Sequence, residues 1–139
     1  MARTTFSGPV VSQNGFIVDH TPTAANAINA TATATAAQVA TGYITSTSAA
    51  TTTITLPTGT LLGAALSATQ GTVFDLFIDN TAGASVVTVA VATNGILSSA
   101  AADTPGSFGD LTIAAGATGL ARFTIMFSSA TAYVFTRTA

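Results

Sequence analysis

Residues 21–74 form a run of 54 without a formal charge, and that run narrows what the chain can become more than any other feature. Coiled coils and long helical bundles are rich in Glu, Lys and Leu, and this chain has no Glu and no Lys in its 139 residues. Its arginines are Arg3, Arg122 and Arg137, and its acids are Asp19, Asp75, Asp79, Asp103 and Asp110. Thr (28 positions) and Ala (29 positions) stand where charge would otherwise be. Thr is β-branched and favours strands, whereas Ala favours helix. With eight Phe, many Val and Ile, and frequent Gly turns, the chain reads as one small β-prone domain.

A mean hydropathy of +0.59 raises the question of a membrane span. Such a helix needs about 20 predominantly apolar residues in succession. Polar residues interrupt every candidate window, as in residues 30–48 (ATATATAAQVATGYITSTS). The first residues hold Arg3 but no apolar stretch of signal-peptide length before Ser12 and Asn14. The expectation is a soluble protein with no membrane partner. A net charge of −2 with three scattered arginines offers no basic stripe for phosphates, so no nucleic-acid partner is expected. The lack of Cys removes disulfides and Cys-ligated metals. So few charges favour association, and small neutral side chains lose little entropy on contact. The chain is expected to be covered in part by copies of itself.

The alternation of apolar residues supplies the elements. Residues 1–23 read as an extended N-terminal arm, punctuated by Ser7-Gly8-Pro9, Asn14-Gly15 and Thr21-Pro22. Phe6, Val10, Phe16 and Ile17 are its candidate anchors on a neighbouring subunit or another surface. Residues 24–139 read as a single β-sandwich. Strands are expected over residues 43–48, 51–56, 72–79, 85–92, 111–114, 119–128 and 133–137, with one short helix over residues 58–69 capped by Thr58 or Thr60. In the second strand Thr52, Ile54 and Leu56 share a face; in the sixth Ala121, Phe123, Ile125 and Phe127 do. Residues 80–83 are expected to turn the chain into its return strand, Asn94-Gly95 marks another turn, and residues 98–109 a loop. The Ala–Thr alternation at residues 30–36 admits an eighth strand, which propensity alone does not decide.

Catalytic parts are scarce. His20 lies in the arm beside Asp19, with no nucleophile-elbow sequence to serve. Asp75 and Asp79 share a strand face but stand about 13 Å apart along it, too far for one metal ion or one scissile bond. Asp79-Asn80-Thr81-Ala82-Gly83 departs from a calcium loop, and no phosphate-binding glycine motif is present. The expected roles are structural: Asp79 and Asn80 cap a hairpin turn, and Asp75 pairs with Arg122. The expectation is a protein that is no enzyme and uses no cofactor or metal.

Several segments together carry a resemblance. In order they are Thr35-Ala36-Ala37-Gln38-Val39, Gly42-Tyr43-Ile44-Thr45-Ser46-Thr47-Ser48, Thr53-Ile54-Thr55-Leu56-Pro57-Thr58, Phe77-Ile78-Asp79-Asn80-Thr81, Arg122-Phe123-Thr124-Ile125 and Ala132-Tyr133. With the opening Thr4-Thr5-Phe6-Ser7-Gly8-Pro9-Val10, this series resembles the head decoration (capsid cement) proteins of tailed bacteriophages, over residues 4 to 137. The long Ala/Thr run before Gln38 departs from that pattern. The resemblance implies a jelly-roll-like β-sandwich of seven or eight strands, commonly a homotrimer. It also implies a protein made in the host cytoplasm and seated on the outer surface of the capsid, with the major capsid protein as partner. The alternative is a head-fibre or tail-associated host-recognition module that binds glycans. The loops, built of Ser, Ala, Gly and Thr with Phe108 as their one aromatic, argue against it.

Overall fold

The computed structural model describes residues 26–97 and 111–139. The expected arm with Phe6, Val10, Phe16 and Ile17, and the expected loop at residues 98–109, lie outside the described residues. The elements are β1 (Ala32–Thr33), α1 (Ala36–Ala40), β2 (Tyr43–Thr45), β3 (Thr52–Leu56), α2 (Gly59–Leu66), β4 (Val73–Asp79), β5 (Val87–Val91), β6 (Gly95–Leu97), β7 (Thr112–Ile113), β8 (Leu120–Ser129) and β9 (Ala132–Arg137). The chain is largely β, and all seven strands expected between residues 43 and 137 are present.

Two sheets share one core. One has the order β1-β3-β5-β7 and the other β2-β4-β8-β9-β6. Inward residues alternate with outward ones, as a strand's period of two requires: Thr52, Ile54 and Leu56 on β3 are buried, as are Ala121, Phe123, Ile125 and Phe127 on β8. All of these but Thr52 join Leu76, Ile78, Val87, Val89, Ile113, Tyr133 and Phe135 in a single apolar cluster. Phe123 and Phe135 stack with ring centroids 4.8 Å apart.

The route of the chain differs from the hairpin expected at residues 80–83. From β1 to β8 each strand lies in the opposite sheet from the one before it. Three pairs of strands two apart in sequence are neighbours running the same way, β1 with β3, β3 with β5, and β2 with β4, while β5 and β7 run antiparallel. Parallel neighbours need a crossover between them, and here the crossover includes a strand of the facing sheet. Among the described strands, only β8 and β9 are consecutive partners in one sheet, an antiparallel hairpin. Residues 80–83 are thus a corner between sheets and not a hairpin turn. The side chain of Asn80 explains why. Its Nδ2 donates to the carbonyls of Ser85 (2.9 Å), Ile113 (3.3 Å) and Ala114 (3.0 Å), and its backbone N–H donates to Gly119 (2.7 Å). One buried amide draws the end of β4 to the approaches of β5, β7 and β8.

The turn expected at Asn94-Gly95 is present: the Gly95 N–H donates to the Ala92 carbonyl (3.0 Å) and Asn94 has φ 63°. What was not expected is that Gly95 also opens a strand, β6, which pairs parallel with β9. Gly95 is small for another reason, since a Cβ there would stand 2.7 Å from the Tyr133 hydroxyl. The ambiguous Ala/Thr stretch divides into the two-residue β1 and the helix α1. A capping box starts α1: Thr35 Oγ1 accepts from the Gln38 N–H (3.2 Å), and Gln38 Oε1 accepts from the Thr35 N–H (2.9 Å).

Helix α2 starts at Thr58, whose Oγ1 accepts from the Leu61 N–H, and ends at Ser67 in the left-handed region (φ 49°). Its buried face is Gly59, Leu62 and Gly63, laid on the β8–β9 hairpin. A Cβ on Gly63 would run into the backbone carbonyl of Ala130, and one on Gly59 into that of Thr131. Gly→Ala in a helix interior normally stabilises by about 1 kcal/mol. Here overpacking reverses the sign, at a cost of about 1–3 kcal/mol. We predict that Gly63→Ala lowers the urea midpoint, while Ala64→Gly, on the exposed face, costs about 1 kcal/mol. A Gly63→Ala protein more stable than wild type would contradict this packing.

Asn80 gives a second prediction. A buried carbonyl left without its donor costs about 1–3 kcal/mol, so Asn80→Ala should destabilise by at least that amount. Asn80→Asp should be worse, because it replaces the donating amide with a carboxylate facing three carbonyls. Chemical denaturation of the two variants gives the order directly, and a milder effect from Asp than from Ala would refute it.

Candidate functional site

The outward face of the five-stranded sheet is built in rows by strand register. Tyr43 on β2 stands opposite Phe77 on β4, which stands opposite Arg122 on β8. Next to that row, Asp75 faces Thr124, which faces Thr136 on β9. A third row is apolar: Val73, Met126 and Val134. Val73 is 56% exposed and Met126 51% exposed. Leu120, opposite Asp79 at the other end of β8, is 52% exposed. Three of the large exposed aliphatic side chains therefore share one sheet face.

The charges on this face are held by neutral hydroxyls. Thr124 Oγ1 donates to Asp75 Oδ1 at 2.7 Å, and Arg122 Nε donates to Thr138 Oγ1 at 3.1 Å. The expected Asp75–Arg122 pair does not form, because the register sets Arg122 against Phe77 and gives Asp75 to Thr124. Asp79 accepts from the N–H and the hydroxyl of Thr81 (2.9 and 2.6 Å) and from the Tyr43 hydroxyl (2.5 Å). Its turn-capping role was expected; Tyr43, brought in by the parallel β2–β4 ladder, was not. Burial alone would push the Asp79 carboxyl up, but these hydrogen bonds outweigh it and the net shift is downward. The Tyr43 hydroxyl is pushed up to about 12, first by the hydrogen bond to Asp79 and then by burial. Arg137 Nη1 donates to the Thr112 carbonyl (2.9 Å), joining the last strand of one sheet to the edge of the other.

A second feature is a shallow apolar groove of about 340 Å³. Residues 33–36, Pro57, Thr58, Leu61 and Ala92 line it, where the starts of α1 and α2 meet. Leu61 is 60% exposed at its lip. Among the described residues, no three His, Cys, Asp or Glu side chains gather as a metal site, and no helix is long and apolar enough to cross a membrane. His20 and the anchors Phe6, Val10, Phe16 and Ile17 lie outside the described residues. The outer face of the sheet was legible in part: alternation in β4 and β8 already divided their residues between two faces. Which outward residues become neighbours depends on the parallel pairing, which alternation does not encode. No known protein family, curated protein or solved structure matches the chain.

The Tyr43–Asp79 pair predicts a pH signature. Asp79, with its pKa lowered, contributes stability that is complete above the ordinary Asp value of about 4 and is lost as pH falls through the lower folded value. Tyr43, with its pKa raised, contributes stability that is complete below about 10 and is lost as pH climbs towards 12. The stability difference between wild type and Tyr43→Phe should be flat from pH 5 to 9 and shrink at both extremes. Tyr133, also pushed up to about 12 by its burial, is common to both proteins and cancels. An unchanged difference at pH 3 would show that the pair carries no coupling.

Proposed function

We propose that this chain is a non-enzymatic virion structural protein of a tailed bacteriophage, a decoration or cement protein that binds the outside of the assembled capsid and stabilises it. Its partners in this reading are further copies of itself, as a homotrimer, and the major capsid protein. The sequence resemblance supplies the capsid and the trimer. The observation that carries the reading is the outer face of the five-stranded sheet, where exposed Val73, Leu120 and Met126 lie among charges engaged by hydroxyls of the same chain. Such a face suits docking by shape and apolar burial, at roughly 25 cal/mol per Å², with little electrostatic steering. A jelly-roll-like frame belongs to the same reading. Two sheets around one core support it, and the parallel ladders set this chain apart from an all-antiparallel form.

The test is co-sedimentation with capsids that lack the protein. Charge-dominated binding weakens steeply as the Debye length falls from about 8 Å at physiological salt to about 3 Å at 1 M. The expected result is saturable binding whose occupancy changes by less than about tenfold, roughly 1.4 kcal/mol, between low and molar NaCl. Asp75→Ala and Arg122→Ala should reduce occupancy less than loss of Phe6 or Phe16. Deleting residues 1–20 should leave the β domain folded but weaken attachment. Release by moderate NaCl, or no binding to capsids at all, would overturn the proposal.

A further inference from the structure

The groove at the starts of α1 and α2 is selective in what it admits. Among the described residues, none that lines it is charged. Among the described lining residues two of the three hydroxyls are engaged, Thr35 Oγ1 capping α1 and Thr58 Oγ1 capping α2; the third is that of exposed Thr33. The neighbouring carbonyls are engaged too, with that of Pro57 accepting from the Tyr133 hydroxyl (2.9 Å). Those of Thr35 and Thr58 accept from the N–H groups of Val39 and Leu62. Small-molecule sites usually orient their ligand with a few convergent polar groups, and here most of the polar groups at the groove are taken up by bonds within the chain. What remains is a contact for neutral apolar side chains.

The chain carries such side chains in residues 1–23. Phe6, Val10, Val11, Phe16, Ile17 and Val18 are accompanied there by only Arg3 and Asp19 as formal charges. The 25 residues before Asn26 span up to about 80–90 Å when extended, against a radius of gyration of about 13 Å for a domain of this size. Ala27 and Ile28 are tied to Thr45 at the β2 edge, and the chain then runs directly to the groove at residues 33–36. That reach takes in the groove of a neighbouring copy, and a chain with so few charges favours association with its own copies.

We propose that this groove receives the apolar anchors of residues 1–23 from a second copy of the chain, so that each subunit is clasped by the arm of its neighbour. This deepens the function proposed above and rests on it only for the self-association of the chain. The natural lack of Cys makes the test clean. One full-length protein carries Leu61→Cys. A second, with a different tag, carries Phe6→Cys, Val10→Cys, Phe16→Cys or Ile17→Cys. Leu61 is largely exposed, so its replacement leaves the core intact. Val86→Cys, exposed at the far end of β5 from Ala92, serves as the control.

After mixing, exchange and mild oxidation without capsids, at least one anchor should cross-link to Leu61→Cys in the other tagged chain at least tenfold faster than to Val86→Cys. Equal rates at all four anchors would overturn the proposal. So would a disulfide that forms only within one chain when both substitutions are combined, since the groove would then hold its own arm. Protection of Leu61→Cys from a thiol reagent only when capsids are added would assign the groove to the shell, and would overturn it as well. Because the cross-link needs no capsid, failure of capsid binding with the cross-link intact counts against the decoration role alone. Normal capsid binding without the cross-link counts against the clasp alone.

Discussion

Phe123, Phe127, Tyr133 and Phe135 all lie on the β8–β9 hairpin and are all buried, so the apolar interior is centred on one local unit. The five-stranded sheet extends from that hairpin in both directions, through β4 to β2 on one side and to β6 on the other. The facing sheet supplies Ile54, Leu56, Val87, Val89 and Ile113 to the same cluster. Aromatic volume on one side meets aliphatic volume on the other. The hairpin also sets the place of α2: two glycines on the helix's buried face bring it against the carbonyls of Ala130 and Thr131. The Tyr133 hydroxyl fixes Pro57 just before that helix begins.

Among the described residues, hydroxyls and backbone amides hold Asp75, Asp79 and Arg122, where a more ordinary surface would use ion pairs. Threonines cap both helices, hold Asp75 and Arg122, and close the turn at Asp79. The caps are neutral hydrogen bonds, worth about 0.5–1.5 kcal/mol net each, while those to Asp75, Asp79 and Arg122 have one charged partner and are worth about 1.5–3 kcal/mol. They are also little affected by salt, unlike exposed ion pairs. The lack of Lys and Glu noted in the sequence is therefore matched by a different way of tying down polar groups.

The strands were legible because half-buried strands alternate, and β3, β4 and β8 do so over their full lengths. The cap at Thr58 was legible for a similarly local reason. Pairing was not. Nothing in residues 80–83 distinguishes a return turn from a corner, because the deciding contacts are carbonyls at residues 113 and 114, more than 30 positions away. Gly95 was legible as a turn residue, but the second demand on it, the close approach of Tyr133, was not, because turn and close approach select the same residue. The capping box at Thr35 and Gln38 was written in the sequence but hidden in a stretch where Ala and Thr pull towards different structures. The anchors Phe6, Val10, Phe16 and Ile17 remain a reading of sequence alone.

The alternation of successive strands between the two sheets also bears on how the molecule comes into being. Nearly every ladder joins segments separated by a strand of the opposite sheet, so few pairings can form from local chain alone. Folding slows as partners lie further apart in sequence. The one local hairpin, which holds the four large rings, is also the last of the described elements to be synthesised. Earlier strands leaving the ribosome therefore have half an interior and no partner for it. The β fold closes only when β8 and β9 arrive, so its outer faces exist only on a finished chain.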